Sequence, residues 1–225
     1  MSFDIICTIG PSSVDYLPEM KDAGMTIGRL NMAHGDLNWH AKAARILREL
    51  DVPIMIDIPG IKTRPHEVIS DNVAITRGIG LQASHFAFSF AHSADQIQKM
   101  KDRFRGISIT PKIEDTLGME NLTEMTGVAD SFILDRDDII SSIGRNRLLV
   151  TQATFLHLLY KSTAYIASGI MESMVDSPSP SQLEILDVQG LVRAGADGVV
   201  LTASTAIGKW PVTTVHMISA LVNEE

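Results

Sequence analysis

The chain has 225 residues and a net charge of −8 with 45% hydrophobic and 20% charged residues, enough apolar material for one packed domain over residues 1–225. The acidic balance weighs against unaided binding to nucleic acid or acidic lipid, which relies on clustered Lys and Arg, and favours a small-molecule ligand. The one cysteine, Cys7, excludes an internal disulfide and fits a reducing cytoplasm, and no apolar stretch approaches the ~18 residues of a membrane span.

Short, β-branched, nearly continuous runs recur along the chain, each of the kind buried on both faces of a parallel sheet. In order they are Phe3–Thr8, Thr26–Leu30, Pro53–Asp57, His85–Phe90, Ile107–Lys112, Ser131–Leu134, Tyr165–Ser168 and Gly198–Leu201. Cys7 lies in the first and reads as a buried strand residue. Helical spacing separates the runs. In Leu37–Leu50, Leu37, Ala41, Ala44 and Leu47 take one face and Lys42, Arg45, Arg48 and Glu49 the other; a last helix is expected near Val212–Val222. Eightfold alternation of strand and helix predicts a single closed (β/α)8 TIM barrel, with an open doubly wound sheet as the alternative.

In such barrels the active site lies where the strands end, so the residues after each strand carry the chemistry. The second strand leads into Asn31, the third into Asp57 through Pro65, the fifth ends in Lys112-Ile113-Glu114, and the sixth runs into Asp135-Arg136-Asp137-Asp138. Lys112 and Glu114 are two apart, so on an extended strand end they share a face. Asp138 follows the next strand, and its carboxylate together with that of Glu114 suits one hard divalent cation, Mg2+ above all. Such a cation beside an ammonium stabilises an enolate oxygen or a transferring phosphoryl group. His34, His66 and His92 come from separate loops without metal-ligand spacing.

A set of ordered motifs resembles the pyruvate kinase family. Cys7-Thr8-Ile9-Gly10-Pro11-Ser12-Ser13 is similar to its opening strand motif, Arg29-Leu30-Asn31-Met32-Ala33-His34-Gly35 to its second-strand motif, and Lys112-Ile113-Glu114 to its catalytic lysine motif. Glu172-Ser173-Met174, the Pro178-x-Pro180 loop and Thr205-Ala206-x-Gly208-x-Trp210-Pro211 resemble its seventh and eighth units. The resemblance implies that Lys112 stabilises phosphoryl and enolate charge, that Glu114 and Asp138 hold Mg2+, and that Arg29 and Arg64 bind phosphate or substrate, a task suited to the planar guanidinium. It also implies that the turn Arg136, Asp137 and Asp138 opens a helix whose backbone N–H groups hold the substrate carboxylate. Ser168 stands for the hydroxyl of the enolate proton step.

Departures from the family pattern are as informative. The potassium-site positions read Asn31, Ala33, Asp57 and Ile58, so two oxygen ligands are gone and K+ activation is not expected. Lys62 stands at an acidic position and is expected to replace the missing cation. Only Pro65–Asp71 separates Arg64 from the next helix, too little for the family's lid domain, and the family's C-terminal domain is not expected either. Because phosphoryl transfer depends on positioning and on excluding water, three readings follow: a Mg2+-dependent enzyme of this superfamily acting on phosphoenolpyruvate, pyruvate or a related 2-oxo acid, a lyase using the same metal-enolate chemistry, and a non-catalytic barrel. Homo-oligomerisation is compatible with all three.

Overall fold

The strands place alternate residues on opposite faces, and in this chain both faces are buried. The computed structural model describes residues 3–59 and 82–223. Its strands are β1 (Asp4–Thr8), β2 (Ile27–Asn31), β3 (Ile54–Ile58), β4 (His85–Phe88), β5 (Ser108–Ile113), β6 (Ser131–Asp135), β7 (Thr163–Ala167) and β8 (Gly198–Leu201). All neighbours pair in parallel, and the circle closes where β8 meets β1 through Asp4↔Gly198 to Cys7↔Leu201. The fold is therefore a single (β/α)8 TIM barrel, and the open-sheet alternative falls.

The apolar residues divide into two clusters by strand parity. Ile6, Ile27, Met55, Ala87, Ile133, Tyr165, Ala167 and Val200 fill the barrel interior. Ile5, Cys7, Leu30, Ile54, Ile56, Phe86, Phe88, Ile109, Ile113, Phe132 and Leu134 face outward, into a second layer shared with the helices. Cys7 is fully buried, and burial holds its thiol far above the usual range. Continuing each inward face toward the strand's C-terminal end gives Thr8, Arg29, Asp57, Lys112 and Asp135. One parity rule thus packs the interior and lines the mouth.

Two strands stop short of expectation, each for a backbone reason. β4 stops at Phe88 because Phe90 takes φ +55, and β7 stops at Ala167 because Ser168 takes φ +70. Left-handed backbone cannot continue a strand. β6 in turn runs one residue further than expected, to Asp135. The helix Leu37–Glu49 is capped by Asp36, whose carboxylate accepts from the backbone N–H of Trp39 at 2.9 Å, and the last helix spans Pro211–Asn223. Among the described residues no helix is long and apolar enough to cross a membrane.

Candidate active site

At the C-terminal ends of the strands lies a cavity of about 810 Å³, lined on its polar side by Thr8, Arg29, Asn31, Asp57, Ser89, Lys112, Glu114, Asp135, Asp137, Asp138 and Ser168. Lys112 sits among acids. Its Nζ is 2.9 Å from Glu114 Oε1, 3.3 Å from Asp57 Oδ2 and 3.8 Å from Asp135 Oδ2. Burial opposes the charge on Lys112, but the carboxylates of Asp57, Glu114 and Asp135 outweigh it and hold the ammonium above the usual lysine range.

Glu114 experiences the other side of this imbalance. Burial, with Asp135 and Asp57 adding repulsion, pushes its carboxyl up to about 7 despite the nearby Lys112. Its Oε2 accepts from the backbone N–H of Phe90 at 2.7 Å. The crowding of carboxylates around Lys112 raises its ammonium and adds to what burial does to Glu114. Glu114, Asp135 and Asp138 bring ligand atoms within 4.8 Å of one another. An all-oxygen donor set of this kind fits a hard divalent cation.

Asp135 escaped the sequence reading. Its Oδ1 accepts from Ser168 Oγ at 2.8 Å, and it is 8% exposed. The signal was available in principle: Ile133 pairs with Lys112 and faces inward, so a strand carried two residues further puts Asp135 on the same face as the lysine.

The remaining expected residues fall into three groups. Asp138, in the first turn of the helix Arg136–Ile143, and Asp137 both line the cavity; burial, then Asp135, pushes the carboxyl of Asp137 upward. Arg29 reaches the cavity with its guanidinium already engaged. Nε donates to Asp57 Oδ2 at 3.0 Å, Nη2 donates to the same oxygen, and Nη1 donates to Thr8 Oγ1 at 2.6 Å. Burial pushes Asp57 upward, but Lys112 and Arg29 outweigh it and keep the carboxyl below its usual range. Asn31 turns its Oδ1 to the backbone N–H of Ala33 at 3.0 Å.

Arg136 is expected to contribute its backbone N–H, and its side chain is engaged elsewhere. Its side chain is absent from the cavity lining and is held by Asp187 at 2.8 and 3.0 Å and by the carbonyls of Ser168 and Gly169 at 2.8 and 2.9 Å. Only its backbone, at the start of the helix, remains for an anion. Lys62 and Arg64 lie outside the described residues.

A closed parallel barrel with a lysine and converging carboxylates at its C-terminal mouth defines a class: TIM-barrel proteins whose charged site lies where the strands end. Within that class, the chain matches the family described as pyruvate kinase, barrel domain, over residues 2–84 and 51–215, and it belongs to the pyruvate kinase family. It is 22% identical over 331 aligned positions to the pyruvate kinase of Thermotoga maritima, an alignment covering 99% of this chain and 71% of that protein. With pyruvate kinase isozyme G, chloroplastic, of Nicotiana tabacum it shares 21% over 320 positions, covering 95% and 57%. With the pyruvate kinase of Eimeria tenella it shares 29% over 178 positions, covering 75% and 33%. The chain thus spans only part of the length of these relatives. Since the alignment to the Thermotoga protein runs longer than the chain itself, that relative carries internal segments with no counterpart here.

Proposed function

We propose that this chain is a Mg2+-dependent enzyme that binds phosphoenolpyruvate, pyruvate or a related 2-oxo acid and stabilises its enolate. The observation that carries the reading is Lys112 Nζ, 2.9 Å from Glu114, beside the converging carboxylates of Glu114, Asp135 and Asp138 in an open cavity. The substrate carboxylate takes backbone N–H groups at the start of the helix Arg136–Ile143, where the helix dipole favours an anion. Lys112 donates to the oxygen that gains charge as the enolate forms. Ser168 Oγ, held by Asp135, passes the proton to and from the enolate carbon. A bound divalent cation supplies Lewis-acid stabilisation of that oxygen. Phosphoryl transfer between phosphoenolpyruvate and ADP is the activity that family membership suggests. The net charge of −8 accords with a small-molecule substrate, in the cytoplasm, rather than with nucleic acid.

One observation favours a second reading, a lyase such as an oxaloacetate decarboxylase. Arg29 and Arg136 are tied to Asp57 and Asp187, so both guanidinium groups are already engaged and neither is spare for a phosphate. A mouth so acidic suits a 2-oxo acid better than a nucleoside diphosphate. The test has two arms. Proton NMR in D2O with Mg2+ should detect loss of the pyruvate methyl protons, abolished in Glu114→Gln; pyruvate formation from phosphoenolpyruvate plus ADP, compared with that from oxaloacetate, separates kinase from lyase. Absence of exchange and of product from either substrate would overturn the enolate reading.

A further inference from the structure

We propose that Asp135 is a third direct ligand of the divalent cation, so that the protein holds its metal with three carboxylates and retains it without substrate. The inference rests on the metal reading above and extends it, since the family resemblance supplies only Glu114 and Asp138.

Position comes first. Asp135 ends β6, beside the end of β5 that carries Lys112, and Asp138 follows three residues later in the helix that β6 runs into. The three ligand atoms lie within 4.8 Å of one another. Opposite oxygens around an octahedral magnesium ion are about 4.2 Å apart, twice a metal–oxygen distance of about 2.1 Å. At most one of the three pairs can be opposite and the others stand adjacent, about 3.0 Å apart, so the carboxylates close on the ion by side-chain shifts of up to about 1–2 Å. No histidine or cysteine belongs to the group, which favours Mg2+ or Mn2+ over zinc.

Capacity and charge agree. Asp135 Oδ1 accepts one hydrogen bond, from Ser168, and Oδ2 stands 3.8 Å from Lys112. A carboxylate oxygen carries two lone pairs, so acceptor capacity remains. An unpartnered acceptor lies in the same cavity wall. Asp57, 1% exposed, has an Oδ1 with no hydrogen-bond partner among the described residues. Glu114 and Asp135 share the ammonium of Lys112 with Asp57, so one ammonium faces three carboxylates.

Geometry also holds Asp135 in place. Ser168 takes the left-handed backbone, φ +70, that serine rarely adopts, and its hydroxyl donates to Asp135. The carboxylate is thereby fixed toward the cavity, as groups outside the ligand set commonly orient a metal ligand.

The experiment measures Mn2+ binding to the substrate-free full chain by electron paramagnetic resonance of the unbound ion. Wild type should take up one Mn2+ per chain. Asp135→Asn and Asp138→Asn should each weaken binding by roughly tenfold or more, because ligand charge sets affinity at such sites. Asp102→Asn, an exposed residue hydrogen-bonded to Gln98, removes the same charge elsewhere and should bind like wild type. Should Asp135→Asn fail to fold, Asp135→Ser keeps a hydrogen-bonding partner for Ser168 and is measured in its place. Wild-type affinity in the Asp135 variant beside weakened binding in Asp138→Asn overturns the third ligand while sparing the metal site. Absence of Mn2+ uptake by wild type overturns both. Mn2+ uptake without pyruvate proton exchange instead overturns the enolate reading and leaves the ligand assignment standing.

Discussion

Asp57 illustrates how much one side chain can decide. Its Oδ2 accepts from Arg29 Nε at 3.0 Å and faces Lys112 at 3.3 Å, so it holds two cations at once with almost no exposure. The sequence reading placed Asp57 with Asn31 as remnants of a monovalent-cation site and expected Lys62 to supply the positive charge. Arg29 from the neighbouring strand and Lys112 both meet Asp57, while Lys62 lies outside the described residues. Removing one partner of a buried ion pair leaves uncompensated charge, at a cost of about 3–5 kcal/mol. Asp57→Ala should therefore lower the free energy of unfolding by about 3–5 kcal/mol in denaturant titration; a loss below about 1 kcal/mol would mean that the pair behaves like a surface one. At this scale legibility depended on distance along the chain. Lys112 and Glu114 were readable as neighbours because they are two apart on one strand, whereas the pairing of Arg136 with Asp187 spans 51 positions and left no local trace.

The elements were easier to read than their ends. Eight buried strands were legible because continuous β-branched runs have few other uses, while the choice between a closed circle and an open sheet came only with the pairing of β8 and β1. Their ends were not legible, since termination at Phe90 and Ser168 is a matter of backbone conformation that neither residue type announces. The error at β6 was a single residue, and it hid Asp135. The loops after the strands also depend on close backbone approach. Leaving β1, Gly10 passes so near the helix Ala203–Ala206 that a Cβ there would lie 2.2 Å from the Ala206 carbonyl oxygen. Thr205 fastens the same contact by donating to the carbonyl of Thr8 at 3.0 Å. Overpacking of this kind typically costs about 1–3 kcal/mol. Gly10→Ala should show that loss in thermal or denaturant melts, and because Gly10 and Ala206 both line the cavity it should also weaken ligand binding. A variant as stable as wild type would contradict the packing described.

For the molecule as a whole, closure of β8 on β1 leaves no free sheet edge, and the apolar clusters inside and outside the barrel bind every strand into one cooperative unit. The core strands of such a unit are the last to open, at free energies approaching that of global unfolding. Cys7 is the chain's only thiol and sits in β1 at the seam where the circle closes, fully covered, with its proton held tightly. It is therefore a built-in clock for that opening. A disulfide reagent such as Ellman's should label the native protein only as fast as the barrel comes apart, with a rate that climbs with denaturant as global unfolding does. Prompt stoichiometric colour in plain buffer would reveal a seam that breathes on its own.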